Sequence, residues 1–305
     1  MPFLIIQQDI TKIKTDAIVN AANTALRMGG GVCGAIFRAA GAAELQAACD
    51  KLAPIQTGDA VITSGFRLPA KYIIHTAGPI YHDGKHGEAM QLRSCYSNSL
   101  KLALENGCQS IAFPLISAGI YGYPKKEALH LATTVIRDFL AENEMEIYLT
   151  VLDKSSVVVD ENLLKNLSES INRVCEKPSG ISTGGEGDSV KRNAGPFLEI
   201  LTQMVRRSGL TEIEVCSKAN LSRDWFSKIG SKSGSFVTKQ TIIALSVALK
   251  ISFEETVDLL AQTGFGLSRD QRFDVIVSYF IRNQLYDIDL INEVLFLYDQ
   301  PLLGS

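Results

Sequence analysis

Residues 20–41 read NAANTALRMGGGVCGAIFRAAG: a strand-like approach, three consecutive glycines, then a helical run. Gly29, Gly30 and Gly31 let the backbone approach a ligand closely and adopt positive φ, which a side chain would oppose. A helix opening at Val32 aims its unpaired N–H groups and the positive end of its dipole at the same space. Residues 113–124, FPLISAGIYGYP, repeat the arrangement with a strand, a loop over Ser117–Gly122 and a helix start at Pro124. Two such turns on adjacent strands suit a diphosphate. Glycine spacing alone leaves a plainer alternative open, that both are only tight strand-to-helix turns.

Outward from these loops, the first half of the chain alternates between two periodicities. Phe3–Ile6, Ala17–Asn20, Ala60–Thr63, Tyr72–Thr76, Ser110–Phe113 and Ile147–Leu152 read as strands. Val32–Ala40, Glu44–Leu52, Glu88–Glu105, Lys125–Ala141 and Glu161–Val174 read as helices. The alternation predicts a three-layer α/β sheet with helices on both faces. In such sheets the ligand crevice lies outside the carboxyl ends of the strands, where the glycines fall.

The chain's 305 residues exceed one typical domain and suit two. A net charge of −3 provides no global field for nucleic acid or membrane. The longest apolar runs, Phe3–Ile6 and Ile242–Leu249, are too short to span a bilayer, and the start MPFLIIQQD does not read as a signal peptide. Cys33, Cys49, Cys95, Cys108, Cys175 and Cys216 are scattered singly, the pattern of reduced cytoplasmic thiols rather than a disulfide framework or zinc site. His82 and His86 in HDGKHGE have i,i+4 spacing, with no further His or Cys ligand close by in sequence, so neither a metal nor a cofactor is expected.

From Asp9 to about Val174 the sequence resembles the macrodomain family, most closely its MacroD-type and viral branches. The matching stretches are DITKIKTDAIVNAAN at 9–23, GGGVCGAIFRAAG at 29–41, HTAGPIY at 75–81 and AFPLISAGIYGYP at 112–124. The resemblance implies a mixed sheet and an ADP-ribose or ADP-ribosylated protein as partner. It also implies removal of mono-ADP-ribose from acidic side chains, or hydrolysis of O-acetyl-ADP-ribose. Carried over by motif, Asp9 accepts from the adenine amino group and Ile10 offers its backbone N–H. Asn20 joins the ligand-binding set, while Asn23 holds the distal ribose and orients the scissile ester. Gly29, Gly30, Gly31 and Val32, with Ser117, Ala118, Gly119, Ile120 and Tyr121, cradle the diphosphate through backbone N–H groups. Tyr121 also packs on the distal ribose.

The resemblance is broken at three positions. MacroD-type hydrolases carry Asp where this chain has Cys33 and His where it has Phe37, and a thiol replaces a carboxylate poorly as an activator of water. Some viral members lack that Asp and still hydrolyse, with the substrate's own phosphate as activator. Leu152 stands where an adenine-stacking Phe is common, and leucine packs without stacking.

Residues 177–195 are rich in Gly and Ser with few apolar side chains, the composition of a flexible linker between a domain at 1–176 and an all-helical one at 196–305. Five helices are expected within 196–262, the third, SRDWFSKI, capped by Ser222. The order around GLTEIEVCSKANLSRDWFSKIGS resembles the phage-repressor (XRE-like) helix-turn-helix family. That resemblance implies a recognition helix over Ser222–Lys228 and nucleic-acid contacts from Arg223, Trp225, Lys228 and Lys232. Charge agrees in part: Lys191–Lys239 holds nine Lys/Arg against four Asp/Glu, and Lys250–Ser305 four against nine. Glu212, in contrast, occupies a site where the family commonly places a backbone-contacting Gln. Two more helices, Ser268–Asn283 and Asp287–Asp299, cap the core or form a homodimer contact. The functional alternative to a hydrolase is thus a non-catalytic ADP-ribose sensor acting through DNA or a protein partner.

Overall fold

The computed structural model describes residues 3–175, 195–230 and 237–304. Phe3–Val158 and Val159–Ser305 form two compact units. Of the linker read over 177–195, residues 177–194 lie outside the described residues, as does the basic residue Lys232, while Gly195 opens a helix.

The first unit contains β1 (Phe3–Gln7), β2 (Ala17–Ala22), α1 (Gly31–Ala40), α2 (Ala42–Cys49), β3 (Ala60–Ser64), β4 (Tyr72–Ala77), α3 (Glu88–Glu105), β5 (Ser110–Pro114), α4 (Lys125–Glu142) and β6 (Glu146–Val151). The strands form one mixed sheet in the order β1-β6-β5-β2-β4-β3, parallel throughout except for the antiparallel edge pair β3–β4. Its inner strands are nearly continuous runs of buried residues, as expected of a parallel sheet covered on both faces. Alternation assigns the faces. Ile18 and Ala22 of β2, Ile73 and Ala77 of β4 and Ala112 of β5 share a core with Ile36, Phe37 and Leu45 of α1 and α2. Phe113, one residue on and therefore on the opposite face, meets the ring of Tyr96 from α3 at 5.2 Å. Burying side chains of this size contributes about 1.5–3 kcal/mol each.

One register detail opens the site. β2 runs beside β4 from Ala17↔Tyr72 to Ala22↔Ala77, but pairs with β5 only at Ala17↔Ile111 and Ile18↔Ala112. Beyond Ile18 the two central strands part, and their following loops diverge toward α1 and α4. This is the switch point at which α/β sheets hold ligands.

The second unit is helical: α5 (Glu161–Cys175), α6 (Gly195–Ser208), α7 (Glu212–Lys218), α8 (Trp225–Gly230), α9 (Lys239–Leu249), α10 (Phe253–Gln262), α11 (Arg272–Arg282) and α12 (Ile288–Leu297). α9 is buried at every position from Thr241 to Leu249, the signature of a central helix. Reciprocal capping boxes, Thr211 with Glu214 and Ser252 with Glu255, start α7 and α10. α5 packs against α11, and Ser168 Oγ lies 3.0 Å from the Tyr298 hydroxyl. No helix among the described residues is long and apolar enough to cross a membrane.

Candidate functional site

A cleft of about 540 Å³ opens at the carboxyl ends of the parallel strands. Asp9 and Ile10 follow β1, Asn23 follows β2, Gly78 follows β4, Leu115–Tyr121 follow β5, and Leu152 and Asp153 follow β6; all line it, together with Gly29–Cys33. Of the ligand-binding residues expected from sequence, the fold therefore gathers every one onto this wall except Asn20.

The two glycine loops meet across the cleft. A Cβ added to Gly30 would come within 3.1 Å of Ile120 Cδ1, the tip of a side chain that is 80% exposed. α1 begins at Gly31 behind an N-cap glycine, and α4 begins behind Pro124; neither has a side-chain cap. The first-turn N–H groups are thereby left for an anionic ligand. Ser117 holds a left-handed φ of 62°, and its buried hydroxyl has no partner in the protein.

Asp9 caps the short 3-10 turn Ile10–Lys12, with Oδ1 accepting from Thr11 N at 3.0 Å and Thr11 Oγ1 at 2.8 Å. The Thr11 backbone N–H holds the Asp9 carboxyl below its usual range, so it stays an ionised acceptor. Both bonds fall on one oxygen, which leaves Oδ2 for a ligand N–H. Asn23 forms a local turn in which Nδ2 donates to Arg27 O at 2.8 Å and Oδ1 accepts from Arg27 N at 3.1 Å. The turn fixes the amide while sparing one N–H and one lone pair for a ligand.

Cys33 is only 5% exposed, with weak sulfur contacts to Arg27 O at 3.9 Å and Asn20 Nδ2 at 3.7 Å. Asn20 lies beneath the cleft wall, fully buried, with Nδ2 3.0 Å from His75 Nδ1. Leu152 is 74% exposed at the mouth, and its carbonyl accepts from Gln7 Nε2. Tyr121 is half-buried on the wall, its carbonyl accepting from Tyr81 N at 2.9 Å.

Three contributors were given no role by the sequence reading, two of them within the quoted motifs. A Cβ on Gly34 would strike Gly29 O at 2.5 Å, and one on Gly78 would strike Ser117 Oγ. Both glycines let backbone elements close on the cradle. Glycine inside a helix costs about 1 kcal/mol relative to alanine, so Gly34 carried a legible signal. Lys125 also lines the cleft, with Nζ donating to Ser155 O and Oγ at 3.2 and 3.1 Å.

Asp83, His86 and Glu88 bring potential ligand atoms within 4.8 Å of one another, a grouping that the sequence spacing of the histidines did not indicate. The Glu88 carboxylate is committed to the loop. It accepts from His86 N at 2.6 Å and His82 N at 3.3 Å, and backbone N–H groups, its own first, pull its acid down to about 2.

In the second unit the expected recognition helix begins later than its sequence suggests. Ser222 is not its cap: the Ser222 carbonyl accepts from Trp225 N at 3.0 Å in a turn, and α8 starts at Trp225. Trp225 is half-buried, its ring edge-on to Phe226 at 5.1 Å, rather than exposed as an anchor. Lys228 pairs with Asp224 at 2.7 Å, which offsets its charge, and Arg223 is half-buried. This arrangement does not by itself show a helix-turn-helix module or a DNA contact.

Fold and cleft together define an α/β protein with a ligand-sized cleft where β2 and β5 part. Residues 19–132 match the Macro domain family. A macro domain-containing protein of Chlorobaculum tepidum is 58% identical over 137 residues, covering 45% of this chain and 79% of that protein. An O-acetyl-ADP-ribose deacetylase of Citrobacter rodentium is 49% identical over 166 residues, covering 52% of this chain and 93% of its own. A solved structure of the Oceanobacillus iheyensis macrodomain with ADP shares 42% identity at a TM-score of 0.49, covering 54% of this chain and 90% of that one. The chain belongs to the macro domain family.

Proposed function

We propose that this protein binds ADP-ribose in the cleft and hydrolyses an ester at its distal ribose, releasing ADP-ribose from an acidic side chain or from O-acetyl-ADP-ribose. The observation that carries the reading is the gathering of Asp9, Asn23 and both uncapped helix starts onto one wall. Asp9 Oδ2 takes the adenine amino group, the loops at Gly29–Val32 and Ser117–Tyr121 take the diphosphate, and Asn23 takes the distal ribose. The similarity to an O-acetyl-ADP-ribose deacetylase over 93% of that protein supports the same chemistry.

Water activation is the unusual step. The carboxylates among the lining residues are Asp9, which caps its own turn, and Asp153, tied to Ser155. None stands at Cys33. We therefore assign proton acceptance to a phosphate oxygen of the substrate, with Asn23 holding the ester in line. Water oxygen attacks the ester carbonyl as its proton passes to the phosphate; the ribose oxygen then leaves and takes that proton back, giving a free carboxylic acid and ADP-ribose.

Calorimetric titration of ADP-ribose into the full chain tests binding, with micromolar affinity expected, on the order of −8 kcal/mol. Release of ADP-ribose from an ADP-ribosylated acidic peptide or from O-acetyl-ADP-ribose tests turnover. Asn23→Ala should slow it about 10²-fold, the cost of losing a positioning group, and Cys33→Asp should hold or raise the rate. No heat from folded protein overturns the binding assignment; wild-type turnover in Asn23→Ala overturns the catalytic one. Binding without turnover in any form would leave a reader of ADP-ribose.

A further inference from the structure

Beneath the cleft wall lies a buried polar chain. Asn20 and His75 are register partners on β2 and β4, and both are fully buried. Asn20 Nδ2 lies 3.0 Å from His75 Nδ1, and His75 Nε2 lies 2.9 Å from Thr63 Oγ1. Cys49 Sγ is 3.9 Å from the same Nε2, and the Phe37 ring meets the imidazole edge-on.

The hydrogen bonds determine the tautomer. Asn20 Nδ2 is a donor, so the Nδ1 that it faces at 3.0 Å is the lone pair. Nε2 then carries the ring proton, and Thr63 Oγ1 accepts it at 2.9 Å. The Nδ1 lone pair in turn holds the amino end of the Asn20 amide. That end also faces Cys33 Sγ, a cleft residue, at 3.7 Å, while Asn20 Oδ1 is buried without a partner in the protein.

We propose that His75 is a positioning residue of this site, acting through Asn20: its unprotonated Nδ1 locks the Asn20 amide with the amino end turned to Cys33 Sγ, and so holds that stretch of the cleft wall in place. An amide is close to symmetric in shape, so packing alone would not choose between its two ends. Burial drives the imidazole to a pKa of about 4, which keeps it neutral and the lock in place at neutral pH.

The inference rests on the proposed hydrolase reading for its kinetic consequence, but not for its structural one. Nitrogen-15 NMR of the histidine rings in the full chain reads the tautomer whether or not any substrate turns over. A neutral His75 with the proton on Nε2 is expected; a proton on Nδ1 overturns the assignment. For the kinetics, His75→Leu removes the acceptor and His75→Asn restores one near the Nδ1 position. His75→Leu should lower kcat about 10- to 100-fold, the scale of a lost orienting contact, with KM within about threefold. His75→Asn should recover most of the loss. In an Asn20→Ala background His75→Leu should add nothing, because residues acting as one unit are non-additive. Independent, multiplicative losses, or a wild-type kcat in His75→Leu, would overturn the proposal. If the wild type proves catalytically silent, the proposed function falls and the tautomer still decides the positioning role.

Discussion

Gly34→Ala isolates the geometry of the phosphate cradle, because one methyl group is added behind it and no charge changes. The new Cβ would sit 2.5 Å from Gly29 O, where ordinary contact begins near 3.4 Å, so something must move by about 0.9 Å. The obstructing atom is backbone, at the start of the glycine loop. Arg38 Nη1, 3.0 Å away, ends a flexible chain and can swing aside. Overpacking of this kind costs about 1–3 kcal/mol, and alanine in a helix returns about 1 kcal/mol. The net loss of stability is then roughly 0–2 kcal/mol, and the protein stays folded. Binding suffers more. A loop displaced by most of an ångström loses at least one N–H bond to phosphate, and a hydrogen bond to a charged group is worth about 1.5–3 kcal/mol. Calorimetric titration of ADP-ribose should therefore show Kd raised roughly 10- to 100-fold. If Gly34→Ala binds ADP-ribose within twofold of wild type, the closed loop is not what forms the cradle.

Gly119→Glu places a carboxylate in open space at the second loop, so ADP-ribose binding should vanish while stability stays within about 0.5 kcal/mol by denaturant melt; retained binding would refute the diphosphate placement. His75 binds its proton only below about 4 when folded, against an ordinary 6.5, so the unfolded chain takes up the proton first as pH falls. Stability from this group is complete above 6.5 and lost through about 4, worth on the order of 3 kcal/mol. Urea midpoints at pH 7.5 and 4.5 should converge in His75→Asn relative to wild type, and an unchanged pH dependence would contradict the buried neutral imidazole. In the second unit Lys239 Nζ sits 2.6 and 2.7 Å from the two oxygens of the fully buried Asp274, which also accepts from Ser268 N. Lys239→Ala strands that charge and should destabilise the helical unit by about 3 kcal/mol, the low end for breaking a buried pair; a loss below about 1 kcal/mol would show that Asp274 is rehydrated.

Much of the first unit could be read from local pattern, because a strand and a helix that bury a face must repeat at 2.0 and 3.6 residues. The glycine clusters announced the loops, and the motif order announced the family. The C-terminal resemblance was less secure. Ser222 is an apt cap by residue type, but the chain instead makes a further turn there and starts α8 at Trp225, since capping propensity yields to the packing of a short helix.

The sequence alone determined that this protein has an α/β half with two anion-friendly turns and a helical half, since periodicity and glycine placement are properties of neighbouring residues. Only the tertiary structure decided which of those residues meet. It separated β2 from β5 after Ile18, and drew Asp9, Asn23 and Gly119 onto one wall. It also sank Asn20 beneath that wall against His75, and packed α5 with the helices that follow it. Each of these depends on contacts between residues far apart in the chain, and such contacts leave no periodic trace in the order of the amino acids.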